Sequence, residues 1–230
     1  ALDSGTPAEE ISFAGPGKGD SELRGAVAAG ITLNLESAGE LERVVGIGEQ
    51  LGIVPRVAVR VNPDFELKSS GMKMSGGPKP FGIDAEQVPD VLHRIAECGA
   101  HFRGFHIFSG SQNLRAESLI EAQNATFELA WRLADDAPAT MEMLNIGGGF
   151  GIPYFPGEQR LDLRPVSENL QALLQEYGAR LGETELVIEL GRYLVAETGE
   201  VSDLVGRGEG HRPGVVVHEA IQHVLAGTGD

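Results

Sequence analysis

The chain has 230 residues, 41% of them hydrophobic, and its 34 Asp and Glu residues against 18 Lys and Arg residues give a net charge of −16. Nucleic acids and anionic membranes bind basic surfaces, so this acidity disfavours both as partners, and no apolar run approaches the ~20 residues that span a bilayer. The hydrophobic content is typical of a soluble globular protein. The single cysteine, Cys98, excludes an intrachain disulfide and favours the reducing cytoplasm as the compartment.

Short apolar runs alternate with amphipathic helical patterns along most of the chain. Strands are predicted at 11–14, 31–35, 56–61, 102–108, 142–146 and 186–190. Helices are predicted at 20–29, 38–51, 84–98, 115–135 and 166–180. Repeated strand–helix units with short links indicate an α/β protein with a parallel sheet, either a doubly wound open sheet or a (β/α)8 barrel.

Several helix ends carry residues that start or stop helices. Ser37 with Glu40 matches a capping box, and Asp84 with Gln87 imitates one. Three glycines stand where a left-handed helix cap is expected: Gly30, Gly52 and Gly99.

Two stretches depart from this alternation. The connection 62–82 is long, rich in Gly, Ser and Pro, and carries three lysines: Lys68, Lys73 and Lys79. Loops of this length commonly cover a functional site, and a solvated surface loop is the alternative. Near the end of the chain, short strands at 201–205 and 215–217 with no helix between them predict the beginning of a β-rich domain.

Polar residues and glycines cluster at the C-terminal ends of the predicted strands. They are residues 15–18, 36–37, 60–62, 106–112, 147–149 and 189–192. In a parallel α/β protein these ends open on one face, where such proteins bind their ligands. The N-terminal strand ends carry no comparable set, and this asymmetry is the main sign of an enzyme.

Three candidates in this cluster each have a structural alternative. The glycines at 147–149 form either a phosphate nest or a tight turn. His106, between Phe105 and Ile107, is either a satisfied core histidine or a ligand-facing group. Glu189 follows three apolar residues and would be costly to bury alone. It is either the partner of Arg192 in a structural ion pair or a pocket carboxylate for a cationic ring nitrogen.

Other common sites are not indicated. The six histidines are scattered, and His218 and His223 do not form a metal-ligand pair, so no metal site is expected. The chain has no GxSxG nucleophile elbow. Its triple glycine does not form the GxGxxG fingerprint, which disfavours a dinucleotide site.

Three motifs, FHIFSGSQ, LNIGGGFGIPY and ELGRYLVAETG, together resemble the fold-type III pyridoxal-phosphate decarboxylases, the group of ornithine, diaminopimelate and arginine decarboxylases. Three further segments match the family in the same order: ISFAGPGKGDSELRGAVAAGI, NLESAGELERV and VRVNP. The GIPY sequence is closer to the diaminopimelate branch. The resemblance implies an alanine racemase-like (β/α)8 barrel in residues 1–196, with about six of eight strands present, and the start of a C-terminal β domain in 197–230.

The resemblance also implies pyridoxal 5′-phosphate as the cofactor, with a role for each matching residue. The phosphate would be held by Gly147, Gly148, Gly149 and Arg192, and Gly191 would also bind the cofactor. Either Ser109 or Ser111 would add a hydroxyl group. His106 would stack on the pyridine ring, Glu189 would pair with the ring nitrogen, and Arg60 would lie beneath the cofactor. His106 and Glu189 are therefore the candidate catalytic residues.

The implied activity is the decarboxylation of a small-molecule amino acid, diaminopimelate-like, basic or carrier-bound, through an external aldimine and a quinonoid. The family's Schiff-base lysine lies on the first barrel strand, which we expect to precede this chain, and Lys18 matches a different family lysine. A homodimer is also implied. The alternatives are a non-catalytic pyridoxal-phosphate-binding or structural relative without that lysine, and a phosphate-sugar-binding barrel aldolase or isomerase.

Overall fold

The computed structural model describes residues 1–65 and 81–196 of the chain. Most of the connection 62–82 lies outside these residues, as do the strands predicted at 201–205 and 215–217. The β-rich domain expected in residues 197–230 therefore stays a prediction. None of the helices in the described ranges is long and apolar enough to cross a membrane.

The described residues form alternating strands and helices. In chain order they are β1 (Ser12–Phe13), α1 (Asp20–Ala29), β2 (Thr32–Leu35), α2 (Ala38–Leu51), β3 (Arg56–Asn62), β4 (Ile83–Asp84), α3 (Val88–Cys98), β5 (His101–Ile107), α4 (Ala116–Ala134), β6 (Met143–Asn145), α5 (Leu163–Glu176), α6 (Gly178–Leu181), β7 (Glu185–Val187) and α7 (Gly191–Val195). Single turns of 3-10 helix lie at Leu2–Ser4, Ala8–Glu10 and Ala85–Gln87.

The strands form one parallel sheet in the order β1-β2-β3-β5-β6-β7, and the short β4 pairs with the end of β3. This confirms the predicted α/β class. Each main strand lies beside the one before it in the chain, with no reversal of direction across the sheet. A doubly wound sheet reverses its strand order at a switch point, so this order favours the barrel.

The two faces of the sheet carry different residues because side chains alternate along a strand. Leu33, Val59, Phe105 and Leu144 belong to the hydrophobic cluster that the helices complete. The adjacent residues on each strand point to the opposite face of the sheet. Three of these residues are buried and polar: Asn34, His106 and Asn145. In a barrel this second face is the interior.

The predicted helix caps are mostly confirmed. Gly30, Gly52 and Gly99 end α1, α2 and α3 with φ angles of 76°, 66° and 68°. The Ser37 side chain accepts the Glu40 backbone N–H at 3.2 Å, as a capping residue does. The second half of the capping box is not formed, because the Glu40 carboxylate accepts the backbone N–H of Glu36 at 2.8 Å instead.

Two predicted helices have wrong boundaries. The helix predicted from residue 84 begins at Val88, because Ile83–Asp84 pairs with β3. Asp84 caps no helix and instead accepts a hydrogen bond from Asn62 Nδ2 at 2.6 Å. The helix predicted at 166–180 is α5 and α6, and α5 begins earlier because the Asp162 side chain caps it through the Arg164 N–H at 3.0 Å.

The last strand is shorter than predicted. The strand expected at 186–190 is Glu185–Val187, and a short helix that the sequence analysis missed begins at Gly191. Glu189 therefore lies in the link between β7 and α7, at the C-terminal rim of the sheet.

Candidate functional site

A row of side chains crosses four neighbouring strands near the C-terminal rim. Arg60 on β3 pairs in register with His106 on β5, and His106 pairs with Asn145 on β6. Asn145 pairs with Val187 on β7, and Glu189 follows two residues later. The structure thus brings together the predicted Arg60, His106 and Glu189, and adds Asn145, which the sequence analysis left without a role.

The Glu189 carboxylate lies between His106 and Asn145. Its Oε1 accepts a hydrogen bond from Asn145 Nδ2 at 2.9 Å, and its Oε2 is 3.6 Å from His106 Nε2. Burial raises the pKa of this carboxyl, but the nearby His106 imidazole, the Asn145 amide and the Arg60 charge together lower that pKa to about 2. Glu189 is therefore an anion at neutral pH.

The alternative of a Glu189–Arg192 ion pair is wrong for the described residues. Arg192 Nη1 instead donates a hydrogen bond to Gln112 Oε1 at 3.1 Å, and its guanidinium lies 5.9 Å from the centre of the Tyr154 ring. A guanidinium has five N–H donors, so Arg192 keeps others with which it can bind an anion.

His106 is a buried side chain with unmet hydrogen-bonding capacity. Its ring is only 2% exposed, and neither nitrogen has a hydrogen-bond partner among the described residues. Buried polar groups are nearly always hydrogen-bonded, which makes such an imidazole unusual. His106 is thus not the satisfied core histidine that the sequence left open, and it faces the Glu189 carboxylate.

The glycine loop after β6 is held by its neighbours on both sides. The Gly147 N–H donates to Asn145 Oδ1 at 2.8 Å, and the Gly147 carbonyl accepts the Glu189 N–H at 2.8 Å. The Gly149 carbonyl accepts the Asn113 N–H at 2.8 Å. Within residues 1–65 and 81–196, the N–H groups of Gly148 and Gly149 have no partner, so they are free to bind an anion.

The packing of this loop leaves no room for side chains. A Cβ at Gly148 would overlap the Glu189 carbonyl oxygen, and a Cβ at Gly149 would lie 2.6 Å from the Gly110 carbonyl oxygen. Gly147 and Gly149 also adopt φ angles of 69° and 82°, which favour glycine. The turn is therefore tight, and it also presents two free N–H groups. A tight turn and a phosphate nest, the two interpretations of the triple glycine, are thus compatible.

The loop after β5 carries the remaining predicted residues. Ser109 is buried and Ser111 is half-buried. Gln112 follows them with a φ angle of 57°, which is uncommon for a residue with a side chain. Its side chain accepts the Arg192 hydrogen bond and donates to the Ile152 carbonyl at 2.5 Å, so it links Arg192 to the segment after the glycine loop.

Arg60 is fixed by a buried carboxylate that the sequence analysis did not assign. Glu36 Oε1 accepts hydrogen bonds from Arg60 Nη1 at 2.7 Å and from the Gly15 N–H at 2.6 Å. Glu36 Oε2 accepts the Gly82 N–H at 2.7 Å. The Arg60 guanidinium also lies 4.9 Å from the centre of the Phe81 ring. Glu36 thus links Arg60 to the segment that follows β1 and to the residue that precedes β4.

Replacing Glu36 with glutamine is expected to lower the free energy of unfolding by about 1–3 kcal/mol, because the amide NH2 group would face the N–H of Gly82 or Gly15 and leave it unpaired. Urea denaturation measures this change. The matched control is Glu42→Gln, which alters an exposed ion pair with Arg94 and should have a much smaller effect. Equal effects in the two variants would contradict the role of Glu36.

Lys18 is not available as a Schiff-base lysine in this structure. Its Nζ lies 3.0 Å from Glu40 Oε1 and donates hydrogen bonds to the Gly15 and Asn34 carbonyls at 2.5 and 3.0 Å. These three contacts use all three donors of the ammonium group. The side chain is buried, so Lys18 serves the fold.

Comparison with known proteins identifies the family. The family model described as "Pyridoxal-dependent decarboxylase, pyridoxal binding domain" matches residues 1–196. The chain belongs to this family. The resemblance to fold-type III pyridoxal-phosphate decarboxylases is thereby confirmed, and so is pyridoxal 5′-phosphate as the family's cofactor. Membership also contradicts the alternative of a phosphate-sugar aldolase or isomerase.

Curated relatives of this decarboxylase family include enzymes with different substrates. The L-glutamyl-(BtrI acyl-carrier protein) decarboxylase of Niallia circulans is 37% identical over 86% of this chain and 47% of the relative. The diaminopimelate decarboxylase of Thermoplasma acidophilum is 30% identical over 85% of this chain and 46% of the relative. The chain spans about half the length of the curated relatives it matches.

Solved structures in the decarboxylase family confirm the barrel. The diaminopimelate decarboxylase of Helicobacter pylori complexed with L-lysine has a TM-score of 0.69 and 27% identity, over 85% of this chain and 49% of that one. The enzyme of M. jannaschii in complex with L-lysine has the same TM-score and 26% identity, over 82% and 44%. These matches support the diaminopimelate-like branch.

Proposed function

We propose that the protein carrying this chain is a pyridoxal-phosphate-dependent amino-acid decarboxylase. The observation that carries the proposal is the ionised Glu189 carboxylate, which lies 3.6 Å from the buried His106 ring on the same rim as the glycine loop. The cofactor fits this site, because the anion site and the carboxylate lie on one rim. Within the described residues, the N–H groups of Gly148 and Gly149 and the ring nitrogens of His106 have no hydrogen-bond partner.

Each candidate residue has a proposed task. The Gly148 and Gly149 N–H groups and the Arg192 guanidinium would bind the phosphate, with a hydroxyl from Ser109 or Ser111 and with Gly191 beside Arg192. His106 would pack against the ring, and Arg60, fixed by Glu36, would lie beneath it. The Glu189 carboxylate would hold a proton on the ring nitrogen, because an anion beside a pyridine raises the pKa of that nitrogen.

When bound, the cofactor accepts the electron pair that remains after CO2 leaves the substrate. The chain's contribution is electrostatic. A carboxylate whose pKa is about 2 keeps its negative charge at neutral pH.

The substrate class follows from the relatives. Their substrates by name are diaminopimelate and a carrier-bound glutamyl group, and we propose a diaminopimelate-like, basic or carrier-bound amino acid for this protein. A homodimer in the cytoplasm also remains a proposal. A panel of meso-diaminopimelate, lysine, ornithine and a carrier-bound glutamyl thioester, assayed for CO2 release from the full-length protein, distinguishes these substrates.

Borohydride reduction of the full-length protein with pyridoxal 5′-phosphate is expected to fix the cofactor on one lysine, which peptide mass mapping then locates. Because the Lys18 ammonium is fully used in buried contacts, that lysine should be a different one. The same reduction after acid unfolding is the control for nonspecific labelling. Binding of the cofactor without any specific lysine adduct would favour the non-catalytic relative and overturn the decarboxylase proposal.

A further inference from the structure

Asn145 is a polar residue in an apolar strand, and both ends of its amide are used. The neighbouring residues Met143, Leu144 and Ile146 are hydrophobic, and Asn145 itself is completely buried. Its Nδ2 donates to Glu189 Oε1 at 2.9 Å, and its Oδ1 accepts the Gly147 N–H at 2.8 Å. One side chain thus contacts the candidate carboxylate and the candidate anion loop together.

The neighbouring partners determine which way this amide points. The backbone N–H of Gly147 can only donate, so it requires the amide oxygen. The amide NH2 must then face Glu189, where an anionic carboxylate can only accept. The orientation is therefore fixed from both sides. Asn34, an equally buried asparagine on β2, has no hydrogen-bond partner for either side-chain atom within the described residues.

Within the described residues, Asn145 supplies the one side-chain hydrogen bond that holds the Glu189 carboxylate. Glu189 lies beyond the end of β7, and its side chain is 42% exposed. Its second oxygen is 3.6 Å from His106 Nε2, which is too long for a strong hydrogen bond. The Asn145 contact therefore decides which carboxylate oxygen remains free to face a ligand.

We propose that Asn145 is a positioning residue that orients Glu189 and, by occupying the Gly147 N–H, leaves Gly148 and Gly149 as the N–H groups that bind the cofactor phosphate. This inference deepens the proposed function and rests on it where the cofactor is concerned. It also explains the amide at this position. A carboxylate there would stand about 3 Å from Glu189, and two acids at that distance share one proton.

The first test needs no cofactor. The full-length protein is labelled with carboxyl-13C glutamate, and the Glu189 resonance is identified by its loss in Glu189→Gln. In the wild type this resonance should not titrate between pH 4 and 8. In Asn145→Asp it should titrate in that range, with the pKa raised by about 2 units or more because of the new neighbouring carboxylate. Asn34→Asp, the matched control, buries the same charge elsewhere and should leave Glu189 unchanged.

Asn145→Leu keeps the test valid if the aspartate variant does not fold. It removes the amide without adding charge, and the Glu189 pKa should rise by about one unit, so this variant and the wild type are compared in titrations that extend below pH 4. A Glu189 titration that matches the wild type in either variant would overturn the positioning role.

The second test uses pyridoxal 5′-phosphate and its analogue with carbon in place of the ring nitrogen. The wild type should bind the natural cofactor more tightly, and Asn145→Asp should reduce this preference at least about tenfold. An unchanged preference would overturn the inference. If the wild type shows no preference while the titrations behave as expected, the pairing of Glu189 with the ring nitrogen fails and the positioning of Glu189 by Asn145 stands.

Discussion

Replacing Glu189 with glutamine is expected to lower kcat for decarboxylation by about a hundredfold or more while the cofactor stays bound. The glutamine can still accept a hydrogen bond from Asn145, so the local structure should survive. It carries no negative charge, however, and cannot hold a proton on the ring nitrogen of the cofactor. Single-turnover CO2 release at saturating cofactor measures the rate, and the cofactor absorbance measures occupancy.

The control for this variant lies on the same segment. Glu185 begins β7 at the opposite end of the sheet and is exposed, so Glu185→Gln should leave kcat unchanged. A Glu189→Gln variant with the wild-type rate would remove Glu189 from its proposed role. Loss of the cofactor together with activity would instead show that Glu189 acts mainly in binding.

Gly148→Ala is expected to lower the free energy of unfolding by about 3 kcal/mol, because the added methyl group would overlap the Glu189 carbonyl and force two loops apart. The affinity for pyridoxal 5′-phosphate should fall at least about tenfold, since the same movement displaces the free N–H groups. Urea denaturation and fluorescence titration with the cofactor measure the two effects.

Gly25→Ala is the matched control for this substitution. Gly25 lies within α1, where an added Cβ meets no atom within 4 Å, and alanine is the better helix former. This variant should be as stable as the wild type or up to about 1 kcal/mol more stable. If Gly148→Ala were equally well tolerated, the close packing of the glycine loop against Glu189 would be wrong.

Local patterns in the sequence predicted much of the fold. Strand and helix periodicity are properties of neighbouring residues, and so are the cap glycines at 30, 52 and 99. The helix α5 was placed three residues late although its signals were present. Asp162 stands at the cap, and Pro165 is most acceptable in a first turn. The two-residue strand β4 is too short to leave a periodic pattern.

The site was predicted as a set of strand ends but not as a set of contacts. Parallel topology alone brings Arg60, His106 and Glu189 to one rim, so these positions could be inferred. The pairing of Glu36 with Arg60 joins residues 24 apart in the chain, and no local pattern encodes it. Asn145 could have been predicted as a site residue from the sequence, because a buried amide within an apolar strand needs a hydrogen-bond partner.

The strand order has a consequence for how the protein is made. Because each main strand pairs with the one synthesised before it, the sheet can grow unit by unit as the chain leaves the ribosome. The carboxylate and the guanidinium of the rim, Glu189 and Arg192, emerge last among the described elements. Early intermediates therefore lack them, and we expect the nascent chain to capture its cofactor only after most of the barrel has been synthesised.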